Sequence, residues 1–366
     1  MGKDAKRVAP VVDENKAKAF ASIVAQINKK YWEWAALTAG SENLQIKTIP
    51  SGSLLLDIAT GWWIPEWKIT EIYWEEATWK TTLALHTLKQ VIWDGWYAAL
   101  IDAEHAYNEE VARNIWIDVE RLIVNQPDYG EQGLEVARDL IASGMIKAIV
   151  IDSVAALVPK VLIENAMEDQ TMWVHARMMS QACKILAMEA SKNWTAIIFI
   201  NQLRDKIGWY VPMKTTTGWN ALKFTASLRL EVKRKEKIER DWELIWNRVA
   251  VKVIKNKKRS PWKIAEFNIM FDATNNNFWV DNNEEVFTAG LDLGLIEQGG
   301  WGNYTLPNGE KIRGKEKVMD TLNSNPELMA SLSAQVKDFI LNGKKANTMV
   351  DTWITDEEKL EMGEIS

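Results

Sequence analysis

The chain has 366 residues, 47% of them hydrophobic and 26% charged, which excludes a disordered chain and suffices for one large α/β core with smaller appended units. Its formal net charge of -6 excludes a protein that grips nucleic acid over its whole surface, so such contact belongs to local basic segments, of which residues 255–259 are the most nearly pure. Apolar runs such as 148–152 and 196–200 fall far short of the roughly 20 residues of a membrane-spanning helix, and no signal-peptide pattern opens the chain. The single Cys183 points to a reducing, cytoplasmic setting and reads as a small buried side chain.

Between residues 14 and 31, Phe20, Ile23, Val24, Ile27 and Tyr31 recur at helical spacing and predict an amphipathic helix. Periodicity leaves open whether its apolar face packs on its own core or on a neighbouring subunit. From about Ile46 the pattern changes. Short strands are predicted at 69–73, 98–102, 148–152, 196–200, 228–232, 249–254 and 265–271, and helices at 81–94, 109–114, 131–143 and 175–192. This alternation is that of βαβ units around a mostly parallel sheet. Three strands end in polar residues: Asp102 with Glu104 just beyond, Asp152, and Asn201-Gln202. Ligands of open α/β sheets bind beyond the carboxyl ends of strands, so these residues are expected to converge on one crevice. After about Asn275 the composition shifts to Asn, Gly and Glu, and a helical unit around 318–341 predicts a separate C-terminal domain. Residues 351–366 hold six acidic residues against one lysine and form an acidic tail.

The strand at 69–73 runs into Trp74-Glu75-Glu76-Ala77-Thr78-Trp79-Lys80-Thr81 and then, through Thr82, into a helix. Spacing, lysine and hydroxyl match the phosphate-binding pattern G-x-x-x-x-G-K-[ST]. In such a loop, backbone N–H groups and the helix N-terminus cradle phosphates, the lysine neutralises their charge, and the hydroxyl ligates Mg2+. Lys80 and Thr81 suit those roles. Both glycine positions, however, are tryptophan. A side chain held in a left-handed conformation costs about 1–2 kcal/mol, and an indole beside Lys80 is expected to take space the phosphates need. Asp152, ending an apolar strand, suits a carboxylate that holds Mg2+ through water, and Glu104 is placed to orient and deprotonate an attacking water. A buried structural aspartate and an ordinary polar strand end are the competing readings of Asp152 and Gln202. His86, His105 and His175 show no metal-ligand spacing.

Five strings occur in order: Leu100 to Ala106, Ile151 to Leu157, Ala176 to Ala182, Phe199 to Arg204, and Thr215 to Phe224. Through them the chain resembles the bacterial RecA recombinase family, segment by segment, over roughly residues 12–342. The resemblance implies an N-terminal helix and oligomerisation segment at 1–45, a RecA-like P-loop ATPase core at 46–274 with a mostly parallel sheet flanked by helices, a small α/β C-terminal domain at 275–342, and an acidic tail at 343–366. It implies ATP-dependent binding of single-stranded DNA, filament formation and homologous strand exchange in recombination and repair. ATP and Mg2+ would be the cofactors; single-stranded DNA, homologous duplex DNA and further copies of the chain in a helical filament would be the partners, with no membrane. The family uses the glutamate at Glu104 as general base and the glutamine at Gln202 to sense the γ-phosphate and relay it to a DNA-binding loop. Lys255 and Lys257, otherwise a solvated basic patch, match lysines that reach the nucleotide of the adjacent subunit. Residues 164–173 and 202–219 correspond to the DNA-binding loops, and Met172, Arg177, Arg204, Lys206, Gly218, Trp219 and Asn220 to their phosphate and base-stack contacts. The tail would restrain access to duplex DNA.

The 20 tryptophans are several times what a chain of this size normally holds. Trp62, Trp63, Trp67, Trp74, Trp79, Trp96, Trp116, Trp173, Trp194, Trp209 and Trp219 stand where resemblance or turn chemistry predicts glycine, which suggests an altered or designed sequence. Two other functions compete: a RecA-fold DNA-binding or scaffold protein that has lost ATP binding through Trp74 and Trp79, and a ring helicase of the same fold. The string at 215–224 and the N-terminal helix favour the recombinase over the helicase.

Overall fold

The computed structural model describes residues 13–31, 36, 47–61, 64–74, 79–164, 171–205, 214–216, 221–240, 243–272 and 277–341. The chain divides into residues 1–47 and 48–366. In the first unit the predicted helix is α1 (Glu14–Lys30), capped by the Asp13 carboxylate, which accepts from Asn15 N at 2.9 Å. None of its residues is buried, and Phe20 and Ile23 are exposed.

The second unit supplies, in chain order, β1 (Thr48–Ile49), α2 (Leu54–Thr60), β2 (Ile64–Pro65), β3 (Ile69–Trp74), α3 (Lys80–Trp93), β4 (Tyr97–Asp102), α4 (Glu109–Asn114), β5 (Leu122–Asn125), α5 (Gly130–Ala142), β6 (Ile146–Asp152), α6 (Lys160–Glu164), α7 (Thr171–Asn193), β7 (Ala196–Asp205), β8 (Lys214–Thr216) and α8 (Ala221–Thr225). There follow β9 (Leu228–Arg240), β10 (Glu243–Asn256), β11 (Ile264–Asp272), β12 (Asn277–Val280), α9 (Asn282–Asp292), β13 (Glu297–Gly299), β14 (Asn303–Thr305), β15 (Lys311–Arg313), α10 (Lys315–Ser324) and α11 (Pro326–Leu341). A ten-stranded sheet runs in the order β12-β11-β10-β9-β3-β7-β6-β4-β5, with β8 paired to β7. From β9 to β5 the pairing is parallel, as expected for the α/β class, while β10, β11, β12 and β8 are antiparallel additions.

The central strands read as near-continuous apolar runs because helices cover both faces. Leu100, Ala148 and Val150 pack in one core with Leu83 and Leu88 of α3. Ile101, Ile149 and Ile151 pack in the other with Leu134 and Ile141 of α5 and Met179, Cys183 and Leu186 of α7. Burial pushes the Cys183 thiol up to about 12, so it is an inert core side chain. A pair of opposite charges is buried between two of its strands. Glu71 of β3 is 0% exposed and lies directly opposite Arg229 of β9, whose Nε donates to it at 2.5 Å; Asn201 Nδ2 donates at 2.8 Å. Paired and hydrogen-bonded, the carboxylate is tolerated where a lone one would not be.

The edge strand β5 was not predicted, since Leu-Ile-Val-Asn is too short to register as a run. Strands β9 and β10 extend well past 228–232 and 249–254; the outer half of β9, Lys233 to Arg240, is charged and hides a strand from hydrophobic patterning, and the added part of β10, from Glu243, pairs with it. The C-terminal helical unit resolves into α9, α10 and α11 with the small β13-β14-β15 sheet, around a core of Val286, Phe287, Leu322, Leu332 and Val336 that also takes in Leu54 of α2. Among the described residues no helix is long and apolar enough to cross a membrane.

Backbone dihedrals bear directly on the tryptophans. Among the described residues, the non-glycine positions with positive φ are His105 and six tryptophans: Trp67, Trp79, Trp116, Trp194, Trp262 and Trp301. Four of these stand on the predicted glycine positions. Trp262 and Trp301 were missed, although Trp301 lies between two glycines, a turn signal. Trp74 in β3, Trp96 and Trp173 in α7 have no positive φ, so a left-handed turn is not what glycine would serve there. Trp62, Trp63, Trp209 and Trp219 lie outside the described residues.

Trp301 is 90% exposed at φ 63 and Trp116 68% exposed at φ 69, so neither ring recovers much of its backbone cost by burial. Trp301→Gly and Trp116→Gly are each expected to raise the urea midpoint, by about 0.5–1 kcal/mol of stability once the extra freedom of an unfolded glycine is subtracted. A lowered midpoint in both would contradict the strain. A second expectation concerns Glu285 of α9, which is fully buried and accepts the Ser53 hydroxyl and, at 2.7 Å, Leu54 N at the start of α2. Burial pushes its carboxyl up to about 8 from an ordinary 4.5. The folded chain therefore keeps a proton that the unfolded chain releases, and stability is greatest below about pH 4.5 as far as this group is concerned and declines as pH rises through 8. Melting temperature should fall over that window in the parent and fall less in Glu285→Gln, with parallel curves as the contrary result.

Candidate functional site

Helix α3 begins at the carboxyl end of β3. Its N-cap is Trp79, at φ 64 and ψ 18, with no side-chain cap hydrogen bond. Lys80 is buried as the first helical residue, and the next, Thr81, donates its hydroxyl to Asp152 Oδ2 at 2.6 Å. Thr82 follows, half-buried. The Trp79 ring is half-buried and packs against the core cluster that contains Leu83 and Ala84. The Trp74 ring lies under the Lys233 ammonium, 4.6 Å from the ring centroid. Glu75, Glu76, Ala77 and Thr78 lie outside the described residues.

Asp152 ends β6 beside Asp102, its register partner at the end of β4. Burial chiefly, with the neighbouring Glu104 and Asp102 charges, lifts the Asp152 carboxyl to about 6, while the Thr81 hydrogen bond and Lys80 oppose the rise. Such a crowded, desolvated carboxylate beside a hydroxyl and a lysine is a donor set that suits a hard divalent cation with phosphate. The residues therefore fit Mg2+ and a phosphate chain.

Glu104 stands on the turn after β4. Asp102 shapes that turn by accepting from Ala106 N at 3.2 Å and Tyr107 N at 2.9 Å, and its Oδ2 also accepts Gln126 Nε2 at 2.9 Å. His105 takes the left-handed conformation the turn requires, at φ 54. The Glu104 carboxylate accepts at Oε1 from two side chains, the Ser153 hydroxyl and, at 3.0 Å, Gln202 Nε2. Gln202 lies opposite Trp74 in the β3–β7 register. Lys80, Thr81, Asp152, Glu104 and Gln202 thus meet at the carboxyl edge of the sheet.

Lys255 and Lys257 do not join them. Asn256, between the two, pairs with Leu228 at the amino end of β9, which is the opposite edge. There Lys255 Nζ donates to the carbonyls of Lys223 at 2.6 Å and Phe224 at 3.2 Å, at the end of α8. Of the expected DNA contacts, Arg177 is exposed on α7, Met172 lies in the first turn of that helix, and Arg204 pairs with Thr215 of β8. Lys206, Gly218, Trp219 and Asn220 lie outside the described residues. Asp102 was expected at this edge as a strand end; Ser153 and Gln126 carried no expectation from sequence, the first lying inside a matching string and the second following the unpredicted β5.

Residues 18–275 match the family model described as RecA N-terminal domain. The chain is similar to Protein RecA of Nautilia profundicola, 41% identical over 96% of this chain and 99% of that one, to Protein RecA of Acidothermus cellulolyticus, 40% identical over 93% and 98%, and to Protein RecA of Corynebacterium urealyticum, 38% identical over 97% and 94%. With the five ordered strings and the sheet topology on which they fall, these likenesses show that the chain belongs to the RecA family of recombinases of DNA repair.

Proposed function

We propose that the chain is a DNA-dependent ATPase that binds single-stranded DNA, assembles head to tail into a helical filament and exchanges strands with homologous duplex DNA, in the cytoplasm, with ATP and Mg2+ as cofactors. The observation that carries this reading is the Gln202–Glu104 hydrogen bond, because Gln202 belongs to a strand that continues to Asp205 and pairs with β8 of the expected DNA-binding segment. One strand thereby links the reacting end of the site to DNA.

The proposed roles follow from position. Lys80 would bind the phosphates together with the N–H groups at the start of α3, and Thr81 and Asp152 would hold the cation. When bound, Mg2+ supplies charge neutralisation on the phosphates. Glu104 orients the attacking water and takes its proton. Gln202 leaves Glu104 for the γ-phosphate and draws β7 with it. Lys255 and Lys257, at the far edge of the sheet, cannot reach the site of their own chain, which favours service to the next subunit as an arginine finger serves. Exposed Phe20 and Ile23 of α1 favour that helix as a contact between copies. The boundary of the C-terminal domain near residue 275 belongs to the same proposal, supported by the separate core around Phe287.

The left-handed Trp79 favours a second reading, a filament or DNA-binding scaffold without ATP chemistry. Steady-state ATP hydrolysis with and without single-stranded DNA separates the two. The chain is expected to be stimulated by DNA, and Gln202→Ala to bind ATP but lose at least about 10-fold of the stimulated rate. Stimulation undiminished in Gln202→Ala contradicts the relay. A parent that is silent while a Trp74→Gly, Trp79→Gly version hydrolyses establishes the second reading.

A further inference from the structure

We propose that Ser153 is a positioning residue for Glu104, holding the general base in place while Gln202 is away; this deepens, and rests on, the ATPase reading above. Ser153 is 0% exposed and directly follows Asp152 at the end of β6. Its hydroxyl donates to Glu104 Oε1, the same oxygen that receives Gln202 Nε2 at 3.0 Å. The two donors differ in mounting. Ser153 is buried and its backbone is held: its carbonyl accepts Ala156 N at 3.0 Å to start a 3-10 turn, and the neighbouring Asp152 carbonyl accepts Ala103 N at 2.7 Å from the Glu104 turn. Gln202 is only half-buried and sits on the strand that leads to the β7–β8 pairing.

A glutamate has three side-chain torsions and loses much of its rotamer freedom when held. If Gln202 were the sole donor, its departure toward phosphate would release the carboxylate at the moment it is needed. The Ser153 hydroxyl removes that conflict. It keeps Oε1 occupied, so that Oε2 is the oxygen that takes the proton of the attacking water. Asp102 and Gln126 complete the arrangement by fixing the backbone from which Glu104 projects.

The test is a double-mutant cycle on the full chain with Mg-ATP and single-stranded DNA. Ser153→Ala is expected to lower kcat about 10- to 100-fold, the effect of a misplaced reacting group, while KM and the Kd of a fluorescent ATP analogue stay within about 3-fold. In a Glu104→Gln background the same Ser153→Ala change is expected to cost less than about 2-fold, because there is no base left to position. An unchanged kcat in Ser153→Ala, or an equal loss in both backgrounds, overturns the proposal alone. If the parent is silent, the cycle is run on Trp79→Gly. Silence there too overturns the ATPase reading and this inference with it.

Discussion

Parallel pairing of β3, β7, β6 and β4 is the constraint on which the site depends. Because these strands run the same way, their carboxyl ends share one edge, and the chain needs only a polar residue at each end to assemble chemistry there. Trp74 faces Gln202 and Asp102 faces Asp152 by register alone. The turn hydrogen bonds of Asp102 then place Glu104 over that edge, and Thr81 joins the first turn of α3 to it. A shift of one residue in any of these pairings would turn the end residue to the other face. The buried Glu71–Arg229 pair, with Asn201, resists such a shift, since it is satisfied in one register of β3 against β9 and β7.

The tryptophans act on this framework locally. A left-handed backbone at Trp79 carries about the same cost as at Trp67 or Trp194, yet their rings recover part of it by packing: Trp79 on the core, Trp67 edge-on to Trp194 with centroids 5.9 Å apart. Trp301 recovers little, being almost wholly exposed. The dihedrals are those a glycine would adopt, so the fold is kept and the side chains are accommodated around it. At the turn before α3 the left-handed backbone of Trp79 carries that strain, while its half-buried ring packs on the core.

Much of this was legible in the sequence. The strand-ending Asp102, Asp152 and Gln202 signalled the edge where they meet, since apolar runs ending in a polar residue mark buried parallel strands. The motif spacing placed Lys80 and Thr81 at a helix start. What escaped had physical reasons. Strand β5 is four residues at an edge, too short for periodicity. The outer half of β9 is charged on both faces and resembles a solvated loop. Ser153 is a small residue whose hydrogen-bond partner, Glu104, lies 49 positions away. Lys255 read as part of a basic patch, and only the antiparallel turn of β10 shows that it lies at the far edge from Asp152.

The proposed function requires that the turn before α3, with tryptophan at its left-handed position, bind a nucleotide. Isothermal titration of the unmodified chain with ATP, with and without Mg2+, tests it most directly, with Lys80→Ala as the control. Saturable, Mg2+-dependent binding, weakened about 10-fold or more by loss of the charge-assisted lysine contact, is the predicted result. Heat of binding that is absent in the unmodified chain, or the same in Lys80→Ala, would contradict it.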